Sequence, residues 1–191
     1  MYRRLFFGLI IALFVLGGCG KEEATHYSID AKGPAYDTLE ELEEDCTIIV
    51  RAIREENEVP VIQMDNDIMV SGYTFSQVTV KEVYKDLTEE LVVGETIRIL
   101  ENEVYNEEEN IIYHVAGYNM MEVGEEYILF LTKDMYYDEK PYYVASGVNY
   151  GTVSLEEDGR TTTYLNRNGN TVNDFSEMQP IWDAAIEKYG N

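Results

Sequence analysis

From Ile68 to Lys85 the chain reads as one long strand whose apolar positions change parity along its length. Tyr73 and Phe75 are odd, Val78 and Val80 are even, and Val83 is odd again. A regular strand keeps its core-facing residues on one parity, because successive side chains point to opposite faces. Each change of parity therefore implies an inserted residue, a β-bulge, and bulges bend and coil the strand that carries them. A strand of this length bent more than once is suited to wrapping around a closed sheet.

The flanking segments supply partners for it. Thr47–Arg54 is rich in β-branched residues, and Glu95–Leu100 sets Ile97 and Ile99 on one face. Ile111–Ala116 follows an acidic loop. Tyr127–Leu131 is apolar at every position, so it should be buried on both faces. Tyr142–Ala145 and Thr152–Leu155 are later strands. Asp65-Asn66-Asp67 marks a turn, and Asn168-Gly169 predicts a hairpin between Thr161–Leu165 and Thr171–Val172. Thr38 and Glu41 make a capping box before Leu39, Leu42 and Cys46, which predicts a short helix. A last helix is expected from Pro180 to Tyr189, ahead of Gly190, with Ile181, Trp182, Ala185, Ile186 and Tyr189 as its apolar stripe. The expectation is a mainly β domain over residues 38–191. Its architecture should be an OB-like, closed antiparallel barrel of five or slightly more strands, with a short N-terminal helix and a C-terminal helix.

The amino terminus carries an address. Arg3 and Arg4 precede the apolar run Leu5–Leu16, and Leu16-Gly17-Gly18 leads into Cys19. A helix of about 12 residues rises about 18 Å, well short of the roughly 30 Å of a hydrocarbon core. The run is therefore an export signal rather than a span. Leu16-Gly17-Gly18-Cys19 resembles the lipobox of bacterial lipoproteins. That resemblance implies removal of residues 1–18 and lipidation of Cys19, with acyl chains such as palmitate holding the protein at the extracytoplasmic face of the cell membrane. Residues 19–37, polar and holding Gly33 and Pro34, read as a flexible tether with a reach of about 20–25 Å. His26 lies in it with no evident chemical role.

Charge narrows the partners. The chain has 14 Lys+Arg against 37 Asp+Glu; without Arg3 and Arg4 the basic count is 12 and the net charge −25. Such a surface repels nucleic acid. A hydrophobic content of 45% argues against disorder all the same.

The order CTIIVRA, YTFSQVTVKEVYK, GETIRIL, VGEEYILFL, running from Cys46 to about Ser146, resembles the netrin-like, tissue-inhibitor-of-metalloproteinase type of OB barrel. It is also similar to uncharacterised lipoproteins of Gram-positive bacteria. Inhibitors of that type grip a catalytic zinc through a free amino-terminal cysteine. Here Cys46 is internal and Cys19 is the lipid site, so that mechanism is not implied.

No catalytic, cofactor-binding or metal-binding residue is assigned from sequence. Cys46, beside Thr47-Ile48-Ile49-Val50, reads as a buried thiol. His114 sits in an alternating strand with no His or Cys at ligand spacing. The acidic stretch 101–110, with Glu101, Glu103, Glu107, Glu108 and Glu109, lacks the ligand spacing of a calcium loop and reads as a solvated loop. Tyr136, Tyr137, Tyr142, Tyr143 and Tyr150 cluster around one expected hairpin and form the candidate binding face. The resulting expectation is a membrane-anchored, non-enzymatic binding module with an envelope protein or glycan as partner. The alternatives are an envelope hydrolase using acidic residues and a low-affinity divalent-cation binder.

Overall fold

The computed structural model describes residues 23–57, 60–66, 68–137, 140–156, 164–165, 171–172 and 176–191. The signal segment, Cys19 and the Asn168-Gly169 turn lie outside the described residues. The fold is mainly β with two helices.

Five strands close on themselves. β2 (Ile48–Asn57), β4 (Ile68–Asp86), β5 (Thr96–Glu101), β9 (Lys140–Ala145) and β8 (Glu126–Tyr137) pair in that order, and β8 pairs again with β2. All contacts in the ring are antiparallel except β5 with β9, which run parallel with Ile99 opposite Tyr143. The expectation of a wholly antiparallel sheet is corrected on that point. Strand direction depends on the path of the connections, and no local pattern records it. β10 (Thr152–Ser154) extends the sheet beyond β8, and β3 (Val61–Asp65) pairs with the first part of β4.

One parity change of the long strand is a bulge, the skip of Lys81 between Val80 and Val83. The register with β5 runs unbroken from Thr74 to Thr79, so Phe75 and Val78 face opposite sides of the sheet. Ile49 lies opposite Lys85 and Val50 opposite Val83, so Tyr84 is skipped; Arg51 opposite Glu82 and Ala52 opposite Val80 skip Lys81. A third shift, between Arg54 and Glu56 of β2, lies beside Val78 and Gln77. These slips keep Val78, Val80 and the half-buried Val83 against one core despite their changing numbers.

That core gathers Ile48, Val50, Ala52, Val78, Val80, Ile97, Ile99, Leu129, Leu131 and Tyr143 from all five ring strands. A second core lies on the other face of β2 and β8. Ile49, Ile128 and Phe130 meet Leu39 and Leu42 of α1 (Leu39–Asp45) and Ile181, Trp182 and Ala185 of α2 (Gln179–Tyr189). Tyr127–Leu131 is accordingly buried at every position. Thr38 accepts from the Glu41 backbone N–H at 3.3 Å, and Glu41 reaches back to the Asp37 N–H at 2.8 Å. Pro180 sits in the first turn of α2, while Gly190 ends it in a right-handed conformation.

Besides β3, two further elements arise where no strand is expected. β1 (Thr25–Ile29) occupies part of the expected tether, and β6 (Glu103–Asn106) lies in the acidic stretch. With β7 (Ile111–Val115) they form a three-stranded sheet ordered β1, β7, β6, in which β1 runs parallel to β7. β11 (Tyr164–Leu165) and β12 (Thr171–Val172) pair as a short antiparallel ribbon.

Candidate functional site

The small sheet places three chemically capable side chains in one row. Glu103 of β6 lies directly opposite His114 of β7. His26 of β1 lies opposite Ile112, which makes it the diagonal neighbour of His114 on the same face. Side chains so placed can touch, and these do. His114 Nδ1 is 3.0 Å from Glu103 Oε2 and 2.8 Å from the Tyr118 carbonyl oxygen. His114 Nε2 is 2.8 Å from His26 Nδ1. The two rings are nearly coplanar, at 16°, with centroids 5.1 Å apart. That separation is what rings joined end to end by such a hydrogen bond give, so the pair is an in-line contact rather than a face-to-face stack.

The partners fix the protons. Both neighbours of His114 Nδ1 are acceptors, so in the neutral ring Nδ1 carries the hydrogen and Nε2 holds the lone pair. His26 Nδ1–H then donates to it. The row is a chain from carboxylate to imidazole to imidazole, buried at His114 and exposed at His26. Glu103 Oε2 also accepts from the Met120 backbone N–H at 3.0 Å, which fixes the carboxylate in turn.

This row forms one wall of a cleft of about 430 Å³. Tyr127 and Trp182 contribute aromatic surface, the 118–122 segment another wall, and Arg54 a guanidinium. Tyr127 Oη accepts from the Glu122 N–H at 2.7 Å and donates to Glu125 at 3.0 Å. Burial, opposed by the Glu122 N–H and reinforced by Glu125, holds its hydroxyl well above the usual range, so it stays a donor.

Just behind the cleft, Glu101 is fully buried. Its carboxylate accepts from Tyr118 Oη and lies 3.8 Å from Arg54 Nε, while Arg54 Nη2 reaches Ser76 Oγ at 3.4 Å. Burial pushes the Glu101 carboxyl above its ordinary value, and hydrogen bonds from Ser76 and Tyr118 with the Arg54 charge pull it partly back. Glu101 is not among the residues lining the cleft.

The sequence expectations map unevenly onto this site. The acidic stretch 101–110 is divided: Glu101 is buried, Glu103 serves His114, and Glu107, Glu108 and Glu109 are exposed. His114 does have a histidine companion, and it is His26, which was read as idle tether. The tyrosines do not make one exposed face. Tyr143 belongs to the ring core, Tyr150 packs edge-on against Tyr36 in the second core at 5.4 Å, and half-buried Tyr142 lies 5.2 Å from Phe75. The side chains of Tyr136 and Tyr137 lie outside the described residues. Cys46 is buried against α1, remote from the cleft lining, and burial pushes its thiol up to about 11.

The chain matches no known protein family and no curated protein.

Proposed function

We propose that this chain is an extracytoplasmic lipoprotein, tethered through lipid on Cys19, that binds a small ligand in the cleft walled by His26, His114, Tyr127 and Trp182 and carries out no catalysis. The observation that carries the proposal is the cleft itself. Its volume of about 430 Å³ falls in the range of small-molecule sites, and it joins aromatic surface to a few convergent polar groups. An OB-like barrel, of the type the sequence resembles, is the architecture that fits a ring of five strands closed through one parallel pair. Barrels of that kind bind ligands on a sheet face and its loops.

The rival hydrolase reading asks for two carboxylates in one cleft, one of them raised. The raised carboxyl here is Glu101, which faces Tyr118 and Arg54 instead of the cleft, and that favours binding.

Trp182 is the only tryptophan of the chain and lines the cleft, so it reports on occupancy. The protein purified from its own membranes should carry a small molecule visible by native mass spectrometry, and Trp182 emission should change when that molecule is removed. Absence of any bound mass, together with emission indifferent to envelope extracts, would sink the binding reading. Cys19→Ser should release the protein from the membrane; retention on the membrane as before would remove the lipid tether.

A further inference from the structure

Resting on the reading of the cleft as a binding site, we infer that His26 and His114 bind a divalent transition-metal ion of the zinc, copper or nickel type, with Glu103 orienting His114 from behind.

Two imidazole nitrogens already face each other, one on a fixed ring and one on an exposed ring that can move. His114 presents a lone pair on Nε2 because Glu103 and the Tyr118 carbonyl hold the proton on Nδ1. A carboxylate on the far nitrogen of a ligating histidine is the usual outer-shell arrangement, fixing the tautomer and raising basicity. His26 Nδ1 faces that lone pair at 2.8 Å. When His26 takes its other tautomer, with the hydrogen on Nε2, two lone pairs meet at one point. Metal–imidazole bonds of about 2.0–2.1 Å at a tetrahedral angle place two nitrogens about 3.3–3.4 Å apart. Because the rings now meet in line, His26 must swing its Nδ1 off that line by about 2 Å so that its lone pair meets the ion at the tetrahedral angle while His114 stays in place. His26 can supply that movement, since it is exposed and sits on β1, an edge strand.

Glu103 is not a direct ligand, because it lies across the His114 ring from Nε2. Among the described residues no group of three His, Cys, Asp or Glu side chains is assembled to hold a metal. The protein thus offers two nitrogens and leaves the remaining coordination positions to water or to a donor atom of the cleft's ligand. Imidazole donors select borderline metals over calcium and magnesium, which prefer oxygen. The strong negative charge of the chain raises the local concentration of any cation.

The test is calorimetric titration of Zn²⁺ into the full mature chain carrying Cys19→Ser, in excess Mg²⁺ to occupy diffuse acidic sites. One saturable site is expected. His26→Ala, a change on an exposed edge residue, should weaken it at least tenfold. Glu103→Gln should weaken it about 10- to 100-fold with unchanged stoichiometry. Zinc should also shift the imidazole proton resonances of both histidines in the unsubstituted chain. The inference is overturned if no site saturates below about 1 mM Zn²⁺, or if His26→Ala and Glu103→Gln both bind as the parent does. A failed titration alongside a Trp182 response to envelope ligands would remove the metal and leave the cleft's binding role standing.

Discussion

Arg54 and Glu101 offer a quantitative test of how the core next to the cleft is held. Their side chains are 4% and 0% exposed, and their charged atoms are 3.8 Å apart. Arg54→Met keeps most of the volume and removes the charge, leaving a buried carboxylate with only hydrogen bonds to steady it. Breaking a buried pair on one side costs about 3–5 kcal/mol. For a domain of this size that is a Tm loss of about 6–20 °C. The loss should depend on pH in a definite direction. Glu101 is already held above its ordinary value by burial, and removing Arg54 raises it further. A carboxyl raised in the folded state contributes stability that is full below its unfolded value and lost as pH rises through its folded value. The Arg54→Met deficit relative to the parent should therefore be smallest near pH 5 and grow towards pH 8. Adding Glu101→Gln removes the stranded charge while still accepting from Tyr118, and should recover at least about 2 kcal/mol at pH 8. Urea unfolding followed by Trp182 emission at both pH values measures all three proteins. A deficit under about 1 kcal/mol that does not change with pH would refute the coupling.

Three further outcomes are expected. Asp86 is half-buried, which raises its carboxyl, but hydrogen bonds from the Thr88 side chain and from the backbone of Leu91, Thr88 and Glu90 more than offset this and lower it. Asp86→Ala should cost about 1–3 kcal/mol at neutral pH, and the gap to the parent should close as pH falls through the lowered value of Asp86 in the fold, read by urea unfolding. A Cβ on Gly151 would lie 2.7 Å from Phe130 O and from both Ser146 N and O, all backbone atoms. Gly151→Ala should lose about 2–3 kcal/mol in thermal or chemical unfolding, and a neutral result would show that β10 is free to move off β8. In the Cys19→Ser chain, the Cys46 thiol, raised from 9.0 to about 11 by burial, should react with a disulfide reagent at pH 8 about a hundredfold or more slower when native than in urea.

The ring was legible because its strands carry local signals. β-branched runs mark β2 and β5, a run apolar at every position marks β8, and the parity change from Val80 to Val83 announces the bulge at Lys81. β1 and β6 carry no such signal. Thr25, His26 and Tyr27 are exposed, and Val104 is the one buried apolar side chain of β6, set among glutamates. What makes these segments strands is the backbone of β7, the next strand in the chain for β6 but remote in sequence for β1. The histidine row is hidden for the same reason, since its two rings are 88 residues apart and meet only through a parallel register. Of the tyrosine cluster, Tyr143 turns from its strand into the ring core and Tyr150 packs from a turn into the second core, so for these two closeness in sequence did not become a shared surface.

The docking of β1 also changes how the domain can hang from a lipid. Had the whole of 19–37 been loose, the domain could wander some 20–25 Å from its anchor. With Thr25 fastened into a sheet, only Gly20–Ala24 separates it from Cys19. Six Cα steps reach at most about 20 Å when fully stretched. With Cys19 acylated as proposed, the β1 edge becomes the pivot of a short leash. His26, one residue beyond that pivot, would then stay within about 20 Å of the lipid, so the histidine wall of the cleft would work close to the membrane and not at the end of a long tether.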